Sequence, residues 1–583
     1  LIARIVTGAL LGLEATPVTV EVDLATALPN LVIVGLPDAA VNEAKERVRS
    51  AIKNSGFDFP LRRVVINLAP ADVRKEGTAF DLPLAVGILL AGNAITTTET
   101  LEQSCFAGEL SLDGALRPVQ GILSLAMMAK QQGYAGLVVP RANQEEAALV
   151  EGLHVYGLSH LSELPVWLVH PQSFERPFDR DRWLASQADR ASSAATMARV
   201  DLAHIKGQLQ AKRALELSAA GGHNLLMAGP PGSGKSLLAK AFGHILPPLT
   251  FDELLEVSRI YSVAGLLAGA GQSAAGLGNL SPTPNGGRPS YLAGLMAQRP
   301  FRSPHHTASM AGLTGGGSHP KPGEISLAHR GVLFLDEFAE FPRQVLEILR
   351  QPLEDGQITI SRAQQSLTFP ARFTLMAAMN PCPCGYRGDP IKPCHCQEGA
   401  VQRYLGKLSG PLLDRIDLQI EVARLSPQEL ASAHEAESTD TVRQRVVAAR
   451  ALQTRRFAEA SGLRCNADMG PEALRQYCAL DEDARTLMQQ AVQQFQLSAR
   501  AYDRLLRVAR TIGDLALVSK HTTMAGLTES TLPLPCVAEA LQYRALDRLL
   551  SQLQGGPRPA FSRTAPAVQA QTHTLALGPA SSN

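Results

Sequence analysis

The stretch PVTVEVDL places Val18, Val20, Val22 and Leu24 on every second position, which predicts a strand buried on one face. The continuous apolar runs LVIVGLP and RRVVINLAP predict buried strands. Between them, DAAVNEAKERVRSAIKNSG repeats at helical spacing, with Val41, Ala44, Val48 and Ile52 on one face and Gly56 as a stop. His170–Arg199 is polar and aperiodic and reads as a linker. Beyond it a helix, an apolar strand, a glycine loop, a second helix and further strands follow, an α/β layout. The chain then turns helical, and Gly555–Asn583, rich in Pro, Ala, Ser, Thr and Gln, has little to bury and reads as disordered. The expected division is a domain at 1–168, a linker at 169–200, an α/β core at 201–425 carrying a cysteine-rich loop at 380–396, a helical lid at 426–553 and a tail at 554–583.

With 583 residues the chain is too long for one core. Hydrophobic residues at 45% and charged residues at 19% are ordinary for a soluble globular protein. Lys and Arg total 55 against 54 Asp and Glu, so a global basic surface is excluded and any nucleic-acid contact must come from a local patch or inner channel. The most apolar run, LPLAVGILLAG, is too short to span a bilayer. The opening LIARIVTGALLGLEA resembles a leader, but it runs directly into the alternating strand and reads as part of the fold. A cytoplasmic protein without a membrane partner is expected, and there thiols stay reduced.

GPPGSGKS, Gly229–Ser236, fits G-x-x-x-x-G-K-[ST], preceded by the apolar HNLLMA and followed by a helical segment. In that context Gly229, Pro230, Pro231, Gly232, Ser233 and Gly234 form the nucleotide-binding loop, whose glycines let backbone N–H groups close around phosphate. Lys235 supplies charge to the β- and γ-phosphates of ATP, and Ser236 offers a hydroxyl to Mg²⁺. GVLFLDEF ends a strand in two carboxylates: Asp336 to hold Mg²⁺ through water, Glu337 as general base. FTLMAAMN ends in Asn380, placed to orient the water or sense the γ-phosphate. In GPLLDRIDLQI, Arg415 suits an arginine finger for a neighbouring subunit's ATP; a surface ion pair with Asp414 or Asp417 is the alternative. Arg500 opens a basic helix, as a second sensor on the lid or simply a solvated face.

Four of eight cysteines crowd into NPCPCGYRGDPIKPCHC. Cys382, Cys384, Cys394 and Cys396 can close a tetrahedral, structural Zn²⁺ site, which a small loop without a core needs. His395 could substitute for a neighbouring ligand, and free or disulfide-forming cysteines are the alternative. Cys105, Cys465, Cys478 and Cys536 read as ordinary buried thiols. GQITISRAQQSLTFPARF alternates on both sides of a polar turn, predicting a β-hairpin with Arg362 near its tip. Arg387, Lys392, Arg403 and Lys407, interleaved with Tyr386 and Tyr404, suit a channel tracking a DNA strand.

Taken together, RPFRSPHHTAS, GGGSHPKPGEISLAHRGVLFLDE, NPCPCGYRGDP, SGPLLDRIDL and the N-terminal GLPDAAVNEAKERVRSAI and INLAPADVRKEGTAFDLPLA resemble the YifB/ComM family, in the magnesium-chelatase-like branch of the AAA+ ATPases. The resemblance, over about residues 5–550, implies an AAA+ P-loop core with a helical lid, preceded by an α+β Lon-protease-like domain. It implies a homohexameric ring, the hairpin in its pore, acting on single-stranded or branched DNA as a branch-migration helicase during natural transformation, with recombination proteins as partners. In Lon the nucleophile lies in a DGPSAG turn; the matching EGTAFD puts Ala79 at the serine position. VQGILSLA puts Leu123 at the lysine position, so a peptidase dyad is not expected, although Thr78, Ser124 and Lys130 lie nearby. The stretches at 267–294 and 517–535 look longer than the family's connections. A protein-remodelling ATPase, similar to the chelatase motor subunit, is the competing function. A module whose ATP site only switches assembly is the third, disfavoured by the complete catalytic set.

Overall fold

The computed structural model describes residues 2–177, 200–267, 291–292, 295–296, 299–317, 320–361, 366–389, 391–431, 437–460, 462–495, 497–519 and 526–544. Arg362, most of the linker, the centres of both long connections and the tail lie outside the described residues.

The first unit is built on seven strands: β1 (Ala3–Leu11), β2 (Glu14–Ala25), β3 (Asn30–Val34), β4 (Arg63–Ala69), β5 (Ser104–Phe106), β6 (Gly136–Pro140) and β7 (His154–Leu158). Their order is β3–β4–β2–β1–β5–β6–β7. β2 pairs antiparallel with both β1 and β4, and the remaining pairs are parallel. Val18, Val20 and Val22 are fully buried, as their alternation predicts. Helix α1 (Ala39–Asn54) buries Val41, Ala44, Val48 and Ile52. It starts where Asp38 Oδ1 accepts the Val41 N–H at 2.8 Å, and Gly56, with φ of 83°, turns the chain away.

LVIVGLP departs from expectation. β3 is an edge strand on which only Ile33 is buried, and Val34 is 43% exposed. An apolar run carries no mark of whether its strand has one neighbour or two. The most apolar run forms α2 (Asp81–Ala91) inside this unit, its buried Asp81 held by Arg47 at 2.8 and 3.0 Å. Helix α3 (Ile122–Gln131) packs on β1 and β2. Past Val169 the chain stays in contact with this unit, since Gln144 Nε2 donates to Phe174 O at 2.6 Å. Among the described residues no helix is long and apolar enough to cross a membrane.

Among the described residues the second unit opens with helix α4 (Leu209–Gly221) and holds a five-stranded, wholly parallel sheet. Strands β8 (Leu225–Ala228), β9 (Phe301–Arg302), β10 (Val332–Leu335), β13 (Thr374–Met379) and β14 (Leu418–Glu421) lie in the order β9–β10–β13–β8–β14. Both faces are covered, so the central strands read as unbroken apolar runs. Leu225, Met227, Met376 and Ala378 face one core, with α4 and α5 (Lys235–Ile245). Leu226, Leu333, Leu375 and Ala377 face the other, with α6 (Phe251–Val263). Short helix α7 (Arg350–Asp355) leads into the expected hairpin, β11 (Gln357–Ser361) and β12 (Ser366–Pro370), with Gln357 opposite Pro370 and Ser361 opposite Ser366. Helix α8 (Glu398–Leu405) follows the cysteine loop. Helices α9 (Thr439–Arg456), α10 (Glu482–Phe495), α11 (Ala499–Val518) and α12 (Leu534–Gln542) share the first core, so the helical region rests on one face of the sheet.

The two units meet along α6. Arg259 donates to Leu13 O from Nη2 (2.6 Å) and Nε (3.0 Å), pairs with Glu14 at 2.9 Å, and reaches Ser124 Oγ at 3.2 Å. Ser262 Oγ donates to the buried Glu146 carboxylate, which also accepts the Leu123 N–H at 3.2 Å. Burial pushes the Glu146 pKa up, against the pull of those donors. Leu13 shares a core with Leu367 of the hairpin, so the β1–β2 turn touches the hairpin directly.

Arg259→Ala removes three hydrogen bonds from this joint. Amide hydrogen exchange across residues 10–14 and 122–131 should accelerate about tenfold, the equivalent of roughly 1.4 kcal/mol, with P-loop protection unchanged. Unaltered exchange in both segments would show that Arg259 does not hold the units together.

Candidate nucleotide site

The P-loop leaves the C-terminal end of β8. Gly229 N donates to Met379 O at 3.1 Å, and a Cβ at Gly229 would lie 2.2 Å from Val422 O, so only glycine lets the loop pass between its neighbours. Gly234 is left-handed (φ 92°) and delivers Lys235 to the first turn of α5. Lys235 Nζ donates to Gly229 O (2.7 Å) and Pro230 O (2.9 Å) and lies 3.4 Å from Asn380 Oδ1. Burial lowers its pKa, partly offset by Asp336. Ser236 Oγ donates to Asp336 Oδ2 at 2.7 Å, so hydroxyl and carboxylate already face one another. Lys235, Ser236, Asp336 and Asn380 thus converge from β8, β10 and β13, as their positions at strand ends predict.

Glu337 sits in left-handed backbone (φ 52°), and its Oε2 meets His306 Nδ1 at 2.9 Å. His306 stacks against His305 and packs edge-on to Phe341, which fixes its ring. Gln208 Nε2 donates to Ser233 O (3.3 Å) and Ala423 O (2.7 Å), tying the P-loop to the chain after β14. Neither contact follows from motif spacing. The only local signal for His306 is a pair of adjacent histidines about thirty residues ahead of the carboxylates.

Arg415 and Arg500 lie elsewhere. Arg415 precedes β14, and its carbonyl accepts from Asn224 Nδ2 at 2.9 Å, just ahead of β8. Since β8 and β14 are parallel, Arg415 is at the edge where strands begin, roughly 13 Å of strand from the P-loop at the other edge. Its ion-pair partner is neither Asp414 nor Asp417 but Glu354 of α7. Arg500 Nη2 lies 3.5 Å from the same Glu354 carboxylate. The two arginines are therefore together, and away from Lys235. Asp417 instead faces His223 and Arg504 and accepts from Asn224 N.

Within the cysteine loop, Sγ of Cys382 lies 3.4 Å from Cys384 and 3.6 Å from Cys394; Cys384 and Cys394 are 3.6 Å apart, and all four sulfurs lie within 4.8 Å of one another. A tetrahedral ion with thiolate bonds near 2.3 Å needs sulfurs about 3.8 Å apart, so the four residues fit such an ion. Burial pushes Cys382 up to about 12, whereas the Tyr386 N–H brings Cys384 down to about 6. Cys382 is part of the sheet's core. A Cβ on Gly385 would meet Pro231 at 2.6 Å, so the loop rests on the P-loop itself.

The expected strand-tracking array needs correction. Tyr404 is buried at 6% exposure, with its hydroxyl against the Asn380 backbone, and cannot stack on a base. Arg387 forms a two-pronged pair with Glu398, both contacts 2.9 Å; Lys407 faces Glu340 at 3.7 Å; Lys392 covers Tyr386. Charge and aromatic content is local in sequence, but its direction is set by the core beneath.

The family model described as magnesium chelatase, subunit ChlI, matches residues 201–275 and 289–430. A model of subunit ChlI of Mg-chelatase matches 20–143, and one of its C-terminal region matches 436–544. The protein YifB of Salmonella typhimurium is 42% identical over 95% of this chain and 99% of its own. Competence protein ComM of Haemophilus influenzae is 40% identical over 95% of this chain and 99% of its own. The chain belongs to the YifB/ComM family of magnesium-chelatase-like AAA+ ATPases. Lon protease 2 of Bacillus subtilis is 26% identical over 23% of this chain and 24% of its own. The fold is thus an AAA+ P-loop core with a helical lid, preceded by a Lon-protease-like α+β domain.

An AAA+-like ATPase of this family takes ATP and Mg²⁺, and the P-loop with Ser236 and Asp336 fits both. At the two positions equated with Lon's dyad, Leu123 is fully buried and Ala79 packs on the same apolar cluster, which also takes in Leu254 of α6. The nearby polar groups are spent elsewhere. Thr78 Oγ1 donates to Glu109 at 2.5 Å, Ser124 Oγ to Leu13 O at 2.6 Å, and Lys130 Nζ to Glu151 O at 2.5 Å.

Because the cysteine loop rests on Pro231, its staple should matter to nucleotide as well as to loop order. Purified protein is expected to carry about one zinc per chain. Replacing Cys394 and Cys396 with Ser should remove it and weaken ATP binding about three- to tenfold. Metal analysis finding no zinc after purification without chelator contradicts the metal assignment; unchanged ATP affinity in the variant contradicts the coupling.

Proposed function

We propose that this chain is a ring-forming motor, most simply a homohexamer, that couples ATP hydrolysis to movement along single-stranded or branched DNA. Branch migration during integration of transforming DNA by homologous recombination is its expected setting. The observation that carries the reading is the placement of Arg415. It stands at the sheet edge opposite its own P-loop, where it can complete an ATP site only on another subunit.

In this reading Lys235 binds the β- and γ-phosphates, and Ser236 with Asp336 holds Mg²⁺. Glu337 takes a proton from the attacking water, with its carboxylate oriented by His306, and Asn380 positions that water. Arg415 and Arg500 of the adjacent subunit neutralise charge developing on the transferred phosphoryl group. The hairpin leaves the same sheet edge as Arg415, so pore and finger belong to one side of the motor. Arg362, near the hairpin's tip, would contact DNA phosphates without regard to sequence. Residues 1–168 serve as a docking platform joined to the motor through α6, and the cysteine loop, stapled by Zn²⁺, steadies the P-loop. The name of the Haemophilus influenzae relative, a competence protein, supports the DNA setting.

One observation favours the second reading, remodelling of a protein partner: Tyr404, Arg387 and Lys407 are engaged within the chain rather than offered to a strand. ATPase rates with and without a four-way junction separate the two. DNA stimulation and ATP-dependent junction migration, both independent of sequence, are expected. A closed oligomer that neither binds DNA at low salt nor processes any branched substrate would establish the remodelling reading instead.

For hydrolysis, Glu337→Gln should retain ATP binding and lose about 10²-fold or more in kcat, while Lys235→Ala should lose binding. Wild-type turnover by Glu337→Gln would remove Glu337 from the role of base. Arg415→Ala should abolish hydrolysis with nucleotide binding near normal, as equilibrium binding alongside turnover would show.

A further inference from the structure

The Arg415 side chain is only 8% exposed, although a group that must reach a neighbour's phosphate needs its N–H donors outward. Nη1 donates to Pro411 O at 2.6 Å, Nη2 is taken by Glu354 Oε2, and Nε is buried with no hydrogen-bond partner among the described residues. Arg500 shares the same carboxylate from its other oxygen, Oε1, at 3.5 Å. One acidic side chain therefore occupies both arginines that the ring reading sends across the subunit boundary. A carboxylate and a phosphate compete for the same guanidinium edge, so the pair with Glu354 and a contact with the γ-phosphate exclude one another.

Glu354 is also placed to respond to the hairpin. It is the penultimate residue of α7, and the chain passes through Gly356 directly into β11. Gly356 is left-handed (φ 65°), and a Cβ there would lie 2.6 Å from the Arg372 side chain, so the corner between α7 and the hairpin is tight. Ala371 N donates to Gly356 O at 2.8 Å, closing the base of the hairpin around that corner. A displacement of the hairpin base has little slack before it reaches Glu354. The carboxylate is itself half exposed, at 51%, so its removal leaves no hole in the core.

We propose that Glu354 is a positioning residue that holds Arg415 folded back on its own subunit and releases it when the hairpin is engaged, so that hydrolysis in the neighbouring site follows occupancy of the pore. The inference rests on the reading of Arg415 as a finger acting between subunits. Glu354 touches neither nucleotide nor reacting atoms; it sets the fraction of subunits whose finger is available, and activity scales with that fraction.

The test is the full-length Glu354→Gln variant, which keeps size and polarity and drops the charge. At saturating ATP without DNA, kcat should rise about fivefold or more, with KM for ATP unchanged and stimulation by DNA falling towards none. Glu354→Asp, which keeps the carboxylate, should bring back a low basal rate and DNA stimulation, a rescue that a purely structural role would not give. A basal rate in Glu354→Gln equal to or below wild type overturns the latch. The double variant Glu354→Gln/Arg415→Ala should be as inactive as Arg415→Ala alone. Should Arg415→Ala alone turn over normally, the finger reading fails and the latch with it. Loss of turnover in Arg415→Ala with no effect of Glu354→Gln overturns the latch only.

Discussion

Asn224 fixes the geometry on which the site depends. Its side-chain oxygen accepts the Leu375 N–H at 2.8 Å, its amide nitrogen donates to Arg415 O at 2.9 Å, and its backbone carbonyl accepts from Asp417 N and Leu418 N. One residue thus ties together the entries to β8, β13 and β14. Because the sheet is wholly parallel, fixing the register there fixes it at the far edge too, where Lys235, Asn380, Asp336 and Ser236 meet. The sheet acts as a rigid bar with phosphate chemistry at one edge and Arg415, Glu354 and the hairpin at the other. In the reading proposed above, neither edge is a complete catalytic centre, and contact between copies of the chain would make one.

The N-terminal unit is fastened to this bar where a peptidase dyad would lie in a Lon-type domain. Leu123 and Ala79 are apolar, and Leu254 of the motor helix joins their cluster. Ser124, beside them, hydrogen-bonds to Leu13, whose carbonyl is also held by Arg259. Apolar groups at these positions make a packing surface, since burial of apolar area stabilises the joint and an unpaired lysine there would destabilise it. The same joint touches the hairpin through Leu13 and Leu367, and Leu367 lies opposite Ile360 on the side of the hairpin's turn, so the N-terminal unit and the hairpin are in direct contact.

Much of this was legible in the sequence, and the division follows the range of the interactions. The P-loop, the paired carboxylates, the strand-end Asn380, the four cysteines and the alternating hairpin are each written in a few consecutive residues, because each rests on local backbone geometry. His306 beside Glu337, Glu354 beside Arg415 and Gly385 against Pro231 were not legible: each joins elements far apart in sequence, and no spacing rule connects them. Direction was the other gap. Tyr404 has the composition of a base-stacking residue, yet the core claims it, and LVIVGLP has the composition of a central strand, yet it lies at the edge. Both depend on what the rest of the chain places alongside.

The central claim is that each ATP site is shared between two chains, and subunit mixing tests it most directly. Lys235→Ala chains lack the phosphate-binding half and Arg415→Ala chains lack the finger half, so each should be inactive alone. When mixed and reassembled, the P-loop of an Arg415→Ala chain lies next to the intact Arg415 of a Lys235→Ala chain. The account predicts that ATPase activity appears on mixing and reaches a maximum at intermediate ratios. Failure of the mixture to exceed either variant alone, with mixed assemblies verified by mass, would contradict it.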